Sequence, residues 1–189
     1  MALPQEKQWT YADMLTWSEE ERVELIYGQP HMMAPPSRRH QEILTTILLQ
    51  LGSFLKDKKC KVYPAPFGVR LFEREGDSPS QVDTLVEPDL TVVCDPDKLD
   101  DAGCKGAPDL IIEIISPSTQ RHDRLVKYNL YQRAGVREYW IVDPASRTVS
   151  VYTLEDGAYH AAAVYAGTDC VPGGVLEGCG VELAGVFAQ

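Results

Sequence analysis

Residues 108–116 read Pro-Asp-Leu-Ile-Ile-Glu-Ile-Ile-Ser, and this run constrains the fold more than any other stretch of the 189-residue chain. Isoleucines dominate it, and branching at the β-carbon favours the pleated strand over the helix. The run is short, closed by Pro108 at one end and Ser116-Pro117 at the other. Its apolar residues do not alternate with polar ones, so both faces of the strand need cover, as in the middle of a sheet with layers on each side. Glu113 stands inside it, sharing a face with Ile111 and Ile115 and bordered on the other face by Ile112 and Ile114. An ionised carboxylate in that position costs several kcal/mol unless it is paired or holds a cation. Two readings follow: an acid satisfied by a neighbouring arginine or backbone amide, or one ligand of a divalent metal ion.

Glu87-Pro88-Asp89 opens a second run of this kind, Leu90-Thr91-Val92-Val93-Cys94. Strand geometry decides which acids can share an ion. Asp109 and Glu113 lie on one strand roughly 13 Å apart, at about 3.3 Å per residue, and cannot meet at one metal. Asp89 can lie directly beside Glu113 if the two strands pair, with β-carbons about 5 Å apart. Glu87 shares the face of Asp89 and would contribute through water. Asp89 and Glu113 are therefore the expected ligands, and Asp109 is the residue that opens its strand. Such an oxygen-only site suits Mg²⁺ or Mn²⁺. Metal-dependent hydrolysis also benefits from a cation that positions water and stabilises charge on phosphate. Lys127 is the candidate, although Asp123 four residues earlier also allows an ordinary surface ion pair. Tyr131, one turn further on, borders the same site.

The rest of the chain supplies the frame. Thr10-x-x-Asp13 and Ser18-x-x-Glu21 are capping boxes that predict two short helices. The segment ELIYGQPHMM reads as extended, turning at Gly28-Gln29-Pro30. From Ser37 the recurrence of Ile43, Ile47, Leu51 and Phe54 predicts a helix of about 18 residues packed on a sheet. CKVYPAPFGVRLF has strand character. About a dozen loop residues separate the two acid-bearing strands. Arg121 to Ala134 reads as a helix with Leu125, Val126, Leu130 and Ala134 inward and Gly135 as its stop. EYWIVDP and TVSVYTL are further strands, and short strands and turns follow from Ala161. The order predicts an α/β (α+β) domain with one mixed central sheet flanked by helices. Its expected divisions are an N-terminal helical extension (1–37), a core (38–153) and C-terminal strands (154–189) within a single domain.

Composition bears on compartment and partner. No apolar run approaches the ~18 residues of a membrane helix. Met1 to Lys7 is polar, without the apolar stretch of a secretory signal. The five cysteines include no C-x-x-C pair, so neither a disulfide scaffold nor a zinc site is expected, and a reducing cytoplasm is the expected location. The formal charge of −10 opposes nucleic-acid binding taken as a total. It is unevenly spread, however. Arg38, Arg39, Lys56, Lys58, Lys59 and Lys61 face only Glu42 and Asp57 within residues 38–61. Arg121, Arg124, Lys127, Arg133 and Arg137 face only Asp123 within residues 120–137. The basic pairs Arg38-Arg39 and Lys58-Lys59 are able to track phosphates, and solvated helix ends account for them equally well.

Taken together, EPD on one strand, PDLIIEIISPST on the next, DRLVKY on a helix and then GVREYWIVDP resemble the PD-(D/E)XK nuclease superfamily. More narrowly, with ELIYGQPHMM followed by SRRHQEI, the chain is similar over residues 9–153 to the bacterial restriction-endonuclease-like Uma-two family. The resemblance implies a restriction-endonuclease-like αβββαβ core that cuts nucleic-acid phosphodiesters with Mg²⁺. By that pattern Asp89 is the metal-binding aspartate, Glu113 the second acid, and the backbone carbonyl of Ile114 a further ligand. The lysine of the motif belongs at position 115, where Ile115 stands; families of this kind can supply it from the following helix, where Lys127 fits. Glu24 matches a recurring acid of the metal shell, expected on a helix. His40 matches a recurring position too, with a structural histidine the equal alternative.

The expected activity is an Mg²⁺-dependent endonuclease acting on DNA, compatible with a homodimer. The rival is a catalytically inactive nucleic-acid-binding or interaction module on a degenerate nuclease fold, favoured by the charge of −10 and by Ile115. His122-Asp123 lacks partner histidines at suitable spacing, and there is no P-loop, no G-x-G-x-x-G after a strand and no G-x-S-x-G elbow.

Overall fold

In the computed structural model, which describes residues 7–18, 22–116, 120–160 and 163–188, Thr10 caps a single helical turn, α1 (Tyr11–Met14). Its N–H and its hydroxyl each donate to Asp13 Oδ2 at 2.8 Å. The second capping box, at Ser18 to Glu21, runs outside the described residues. The segment ELIYGQPHMM is extended as expected and forms a hairpin of β1 (Val23–Ile26) and β2 (Gln29–Met32). Its two-residue turn is Tyr27-Gly28, both at positive φ (48° and 74°), one residue earlier than expected. Hairpin turns favour that backbone because it matches strand twist. Every residue of β1 is buried, and Leu25 exchanges hydrogen bonds with Leu85 at 2.7 Å.

Ser37 then starts α2 (Arg38–Leu55), its hydroxyl accepting from the His40 N–H. The helix is 18 residues long and buries Ile43, Leu44, Ile47, Leu51 and Leu55. It is followed by β3 (Lys61–Pro64), β4 (Val69–Arg70), β5 (Leu90–Val93), β6 (Leu99–Asp100), β7 (Gly103–Lys105) and β8 (Leu110–Ile114). A π-helical turn, His122–Lys127, runs into α3 (Tyr128–Ala134), which ends at Gly135 in the left-handed region (φ 90°). Next come β9 (Glu138–Asp143), β10 (Thr148–Glu155), β11 (Ala158–Tyr159) and β12 (Ala163–Ala166). The tail holds β13 (Cys170–Pro172), β14 (Gly180–Glu182) and α4 (Leu183–Val186).

The main sheet runs β11-β10-β9-β8-β5-β3, with β12 also on β10. Only the β8–β9 pair is parallel; α3 makes that crossover. The succession α2-β3-β5-β8-α3-β9 is the αβββαβ core expected from the sequence. The isoleucine run divides as a doubly covered strand must. Leu110, Ile112 and Ile114 lie with Trp140 and Val142 under α2. Ile111 and Ile115 lie with Ile141, Tyr139, Leu130 and Tyr131 on the α3 side.

Three expectations change. CKVYPAPFGVRLF is not one strand: Pro64 and Pro66 lack the N–H that a ladder requires. The segment after them leaves the main sheet, and β4 joins a separate three-stranded sheet ordered β4-β7-β6. The expected dozen-residue loop thus contains β6 and β7. It closes tightly, since a β-carbon on Gly103 (φ 126°) would come 2.0 Å from the Gly68 carbonyl oxygen. Finally, Cys60 and Cys94 form a disulfide where no disulfide framework was expected. Lys61 lies opposite Val93 in the β3–β5 ladder, and continuing that register sets Cys60 against Cys94. Cys104, Cys170 and Cys179 are free.

Candidate active site

The β5–β8 ladder pairs Leu90 with Ile112. One step further along this antiparallel register, Asp89 lies opposite Glu113. The two are in contact: Asp89 Oδ2 accepts from the Ile114 N–H at 2.7 Å, and the Asp89 N–H points to Glu113 Oε2 at 3.5 Å. Ile115, the next residue, donates to Val142 on the other side of β8. Because successive strand residues direct their backbone groups to opposite edges, the Ile114 carbonyl faces the Asp89 edge.

Glu113 is 5% exposed, Glu24 3% and Lys127 4%. Lys127 Nζ donates to Glu113 Oε1 at 2.8 Å and to Glu24 Oε1 at 2.9 Å. Tyr131 donates its hydroxyl to the same Glu113 oxygen at 2.7 Å. Glu24 therefore belongs to the cluster, but from β1, not from a helix. Its Oε1 also accepts the Glu87 N–H at 3.0 Å. The Glu87 carboxylate is engaged by Arg22 at 2.8 Å, so at this residue the backbone makes the link to the cluster. His40 Nε2 lies 3.0 Å from Asp89 Oδ2. Asp109 stands apart, accepting from the Cys94 N–H at 2.7 Å and from Arg137 at 3.1 Å, as befits the start of its strand.

The helix after β8 turns differently from the sequence reading. Leu125 (54%) and Val126 (42%) are exposed, whereas Asp123 and Lys127 are buried. The π-helical turn rotates the inward face away from the 3.6-residue spacing, so the i, i+4 charged pair meets the sheet and the leucine–valine pair meets solvent. Lys127 accordingly brings its ammonium to Glu113 while Ile115 packs into the core.

The electrostatics follow from this crowding. Burial pushes the Glu113 carboxyl up to about 8, with Asp89, Asp123 and Glu24 adding to the rise against the opposing pull of Lys127. For Lys127 burial opposes the charge, but Glu113, Glu24 and Asp123 outweigh it and the ammonium is held firmly protonated. The neighbouring acids push both groups in the same direction, whereas burial raises Glu113 and opposes the charge on Lys127. Burial, with Glu113 next in weight, also raises the Tyr131 phenol well above its ordinary value and keeps it a donor. His122, whose ring centroid lies 5.1 Å from that of His31, is lowered by burial and then by Lys127.

Among the described residues no group of three or more His, Cys, Asp or Glu side chains is arranged to hold a metal ion. The donors on the two paired strands are the Asp89 and Glu113 carboxylates, with Asp89 also bonded to the Ile114 N–H. That is a fitting set for Mg²⁺, which keeps several waters and takes one or two protein carboxylates alongside substrate phosphate.

The α2-β3-β5-β8-α3-β9 core is that of the restriction-endonuclease-like class. The sequence profile of the Uma2 family, described as "Putative restriction endonuclease", matches residues 10–184, and the chain belongs to that family. It is similar to an uncharacterized protein of Synechocystis, 24% identical over 147 residues (76% of this chain, 73% of the other). It also shares its fold with a crystal structure of a "putative nuclease" from Anabaena variabilis, with a TM-score of 0.73 and 20% identity, covering 95% of this chain and 97% of that one.

Proposed function

We propose that the protein is a Mg²⁺-dependent nuclease that hydrolyses DNA phosphodiester bonds. The observation that carries this reading is the meeting of Asp89 and Glu113 across β5 and β8, with Lys127 Nζ 2.8 Å from Glu113. Family membership and the shared fold support it. Asp89, Glu113 and the Ile114 carbonyl would hold the ion, Mg²⁺ or Mn²⁺, with Glu24 the nearest accessory acid. A divalent cation in such a place polarises the scissile phosphate and lowers the pKa of water.

The chain's own residues supply the remainder. Glu24 and Tyr131 fix the Lys127 ammonium and the Glu113 carboxylate in one orientation, which limits reorganisation during reaction. Lys127 would orient the attacking water and stabilise charge on the phosphate. His40, against Asp89, orients that carboxylate. Because Ile115 fills the motif's lysine position with core packing, the functional ammonium comes from the π-helical turn.

Isothermal titration of the metal-free protein with Mn²⁺ tests the ion site. The expected result is binding near one equivalent, lost in Asp89→Asn. Absence of carboxylate-dependent binding would instead favour the inert interaction module.

A further inference from the structure

We infer that Arg39 and Arg121, flanked by Arg38 and Arg124, form the phosphate-gripping rim of the site. The nucleic-acid backbone then crosses the protein there, not along the lysine-rich end of α2. This rests on the nuclease reading above and names the surface that delivers its substrate.

A chain with a formal charge of −10 repels a polyanion as a whole, so binding depends on where uncancelled positive charge lies. His40 against Asp89 fixes the first turn of α2 at the edge of the site. From that turn Arg39 reaches the Pro144 carbonyl at 2.6 Å. This acceptor is neutral and leaves the guanidinium charge uncancelled. From the π-helical turn, Arg124 reaches the adjoining Asp143 at 3.0 Å. Arginines from two separate elements thus converge on one β9–β10 turn, beside the helix that carries Lys127. Arg121, three residues before Arg124, is exposed and has no ion pair among the described residues. Arg38 is exposed and bonds Glu42 in an i, i+4 surface pair, the sort that contributes little and exchanges readily for phosphate.

The other basic pair is badly placed. An 18-residue helix is about 27 Å long, which puts Lys58 and Lys59 beyond the far end of α2. Lys58 is also spent on the Phe54 ring, its Nζ 3.0 Å from the centroid. Guanidinium groups are suited to the rim because their planar fork binds phosphate oxygens in pairs.

The test is the salt dependence of binding to a short fluorescent DNA duplex in EDTA, using the full chain. Each phosphate contact contributes about 0.9 to the slope of log K against log salt. Arg39→Ala combined with Arg121→Ala is expected to flatten the slope by about 1.8. The matched Arg→Lys pair should restore most of it, and Lys58→Ala with Lys59→Ala should leave it unchanged. Equal effects from the two alanine pairs, or no binding by the parent protein, would overturn the rim. Cleavage is read separately: a protein that shows these slopes yet never cuts DNA upholds the rim and refutes only the catalytic reading.

Discussion

Lys127→Met is expected to remove about 3–5 kcal/mol of folding stability, because it strips the shared counter-charge from two buried carboxylates. Against a typical total of about 5–15 kcal/mol this is a severe loss. The ammonium lies 2.9 Å from Glu24 and 2.8 Å from Glu113, with all three side chains almost wholly enclosed. Adding Glu24→Gln should recover part of the deficit, since one uncompensated charge is then gone, and the pair should couple strongly in a double-mutant cycle. Urea midpoints for the four proteins measure this; a cost below about 1 kcal/mol for Lys127→Met would place the lysine in ordinary surface pairing. The parent protein carries a related pH signature. Glu113 is raised from 4.5 to about 8 on folding, so its stabilising contribution is complete below pH 4.5 and is lost as the pH climbs through about 8. Metal-free protein should therefore unfold more readily at pH 8.5 than at pH 5, and Glu113→Gln should flatten that dependence.

Glu113→Gln is expected to lower Mg²⁺-dependent DNA cleavage by about 10³-fold or more while leaving the fold intact, the size of effect seen when a principal electrostatic stabiliser is lost. The amide preserves the volume of the side chain, and its carbonyl oxygen can still accept from Tyr131 and Lys127, as Glu113 Oε1 does now. Lys127 keeps Glu24 as a counter-ion. What disappears is the negative charge beside Asp89. This sets the two substitutions apart: loss of Lys127 strikes stability and activity together, whereas Glu113→Gln strikes activity in a protein that still folds. Plasmid nicking under single-turnover conditions, alongside circular dichroism, separates them. Undiminished cutting by a folded Glu113→Gln protein would remove Glu113 from the chemistry.

Much of this was legible because burial and periodicity are local properties of the chain. An acid among isoleucines announces an unusual strand wherever it occurs, and the stripe of α2 from Ile43 to Leu55 needs no partner to be recognised. The contact of Asp89 with Glu113 follows directly from the pairing of the two strands. What escaped depends on non-local pairing or on departures from ideal repeats. Cys60 and Cys94 are 34 residues apart and meet only through the β3–β5 register, which spacing cannot reveal. A 3.6-residue repeat turns Leu125 and Val126 inward, but the backbone there makes a π-turn and exposes them. Glu24 is marked only by the family resemblance, and its place on a strand, not a helix, follows from the bridging of β1 to Leu85. The link from Glu24 to the Glu87 backbone, like the Arg22 pairing, likewise appears only when the hairpin has docked.

The central claim is that Asp89 and Glu113 share one divalent cation. Anomalous density from a crystal soaked in Mn²⁺ tests it most directly. A single strong peak bonded to both carboxylates and lost in Asp89→Asn crystals is the expected result; an empty site, or Mn²⁺ bound only elsewhere on the protein, would contradict it.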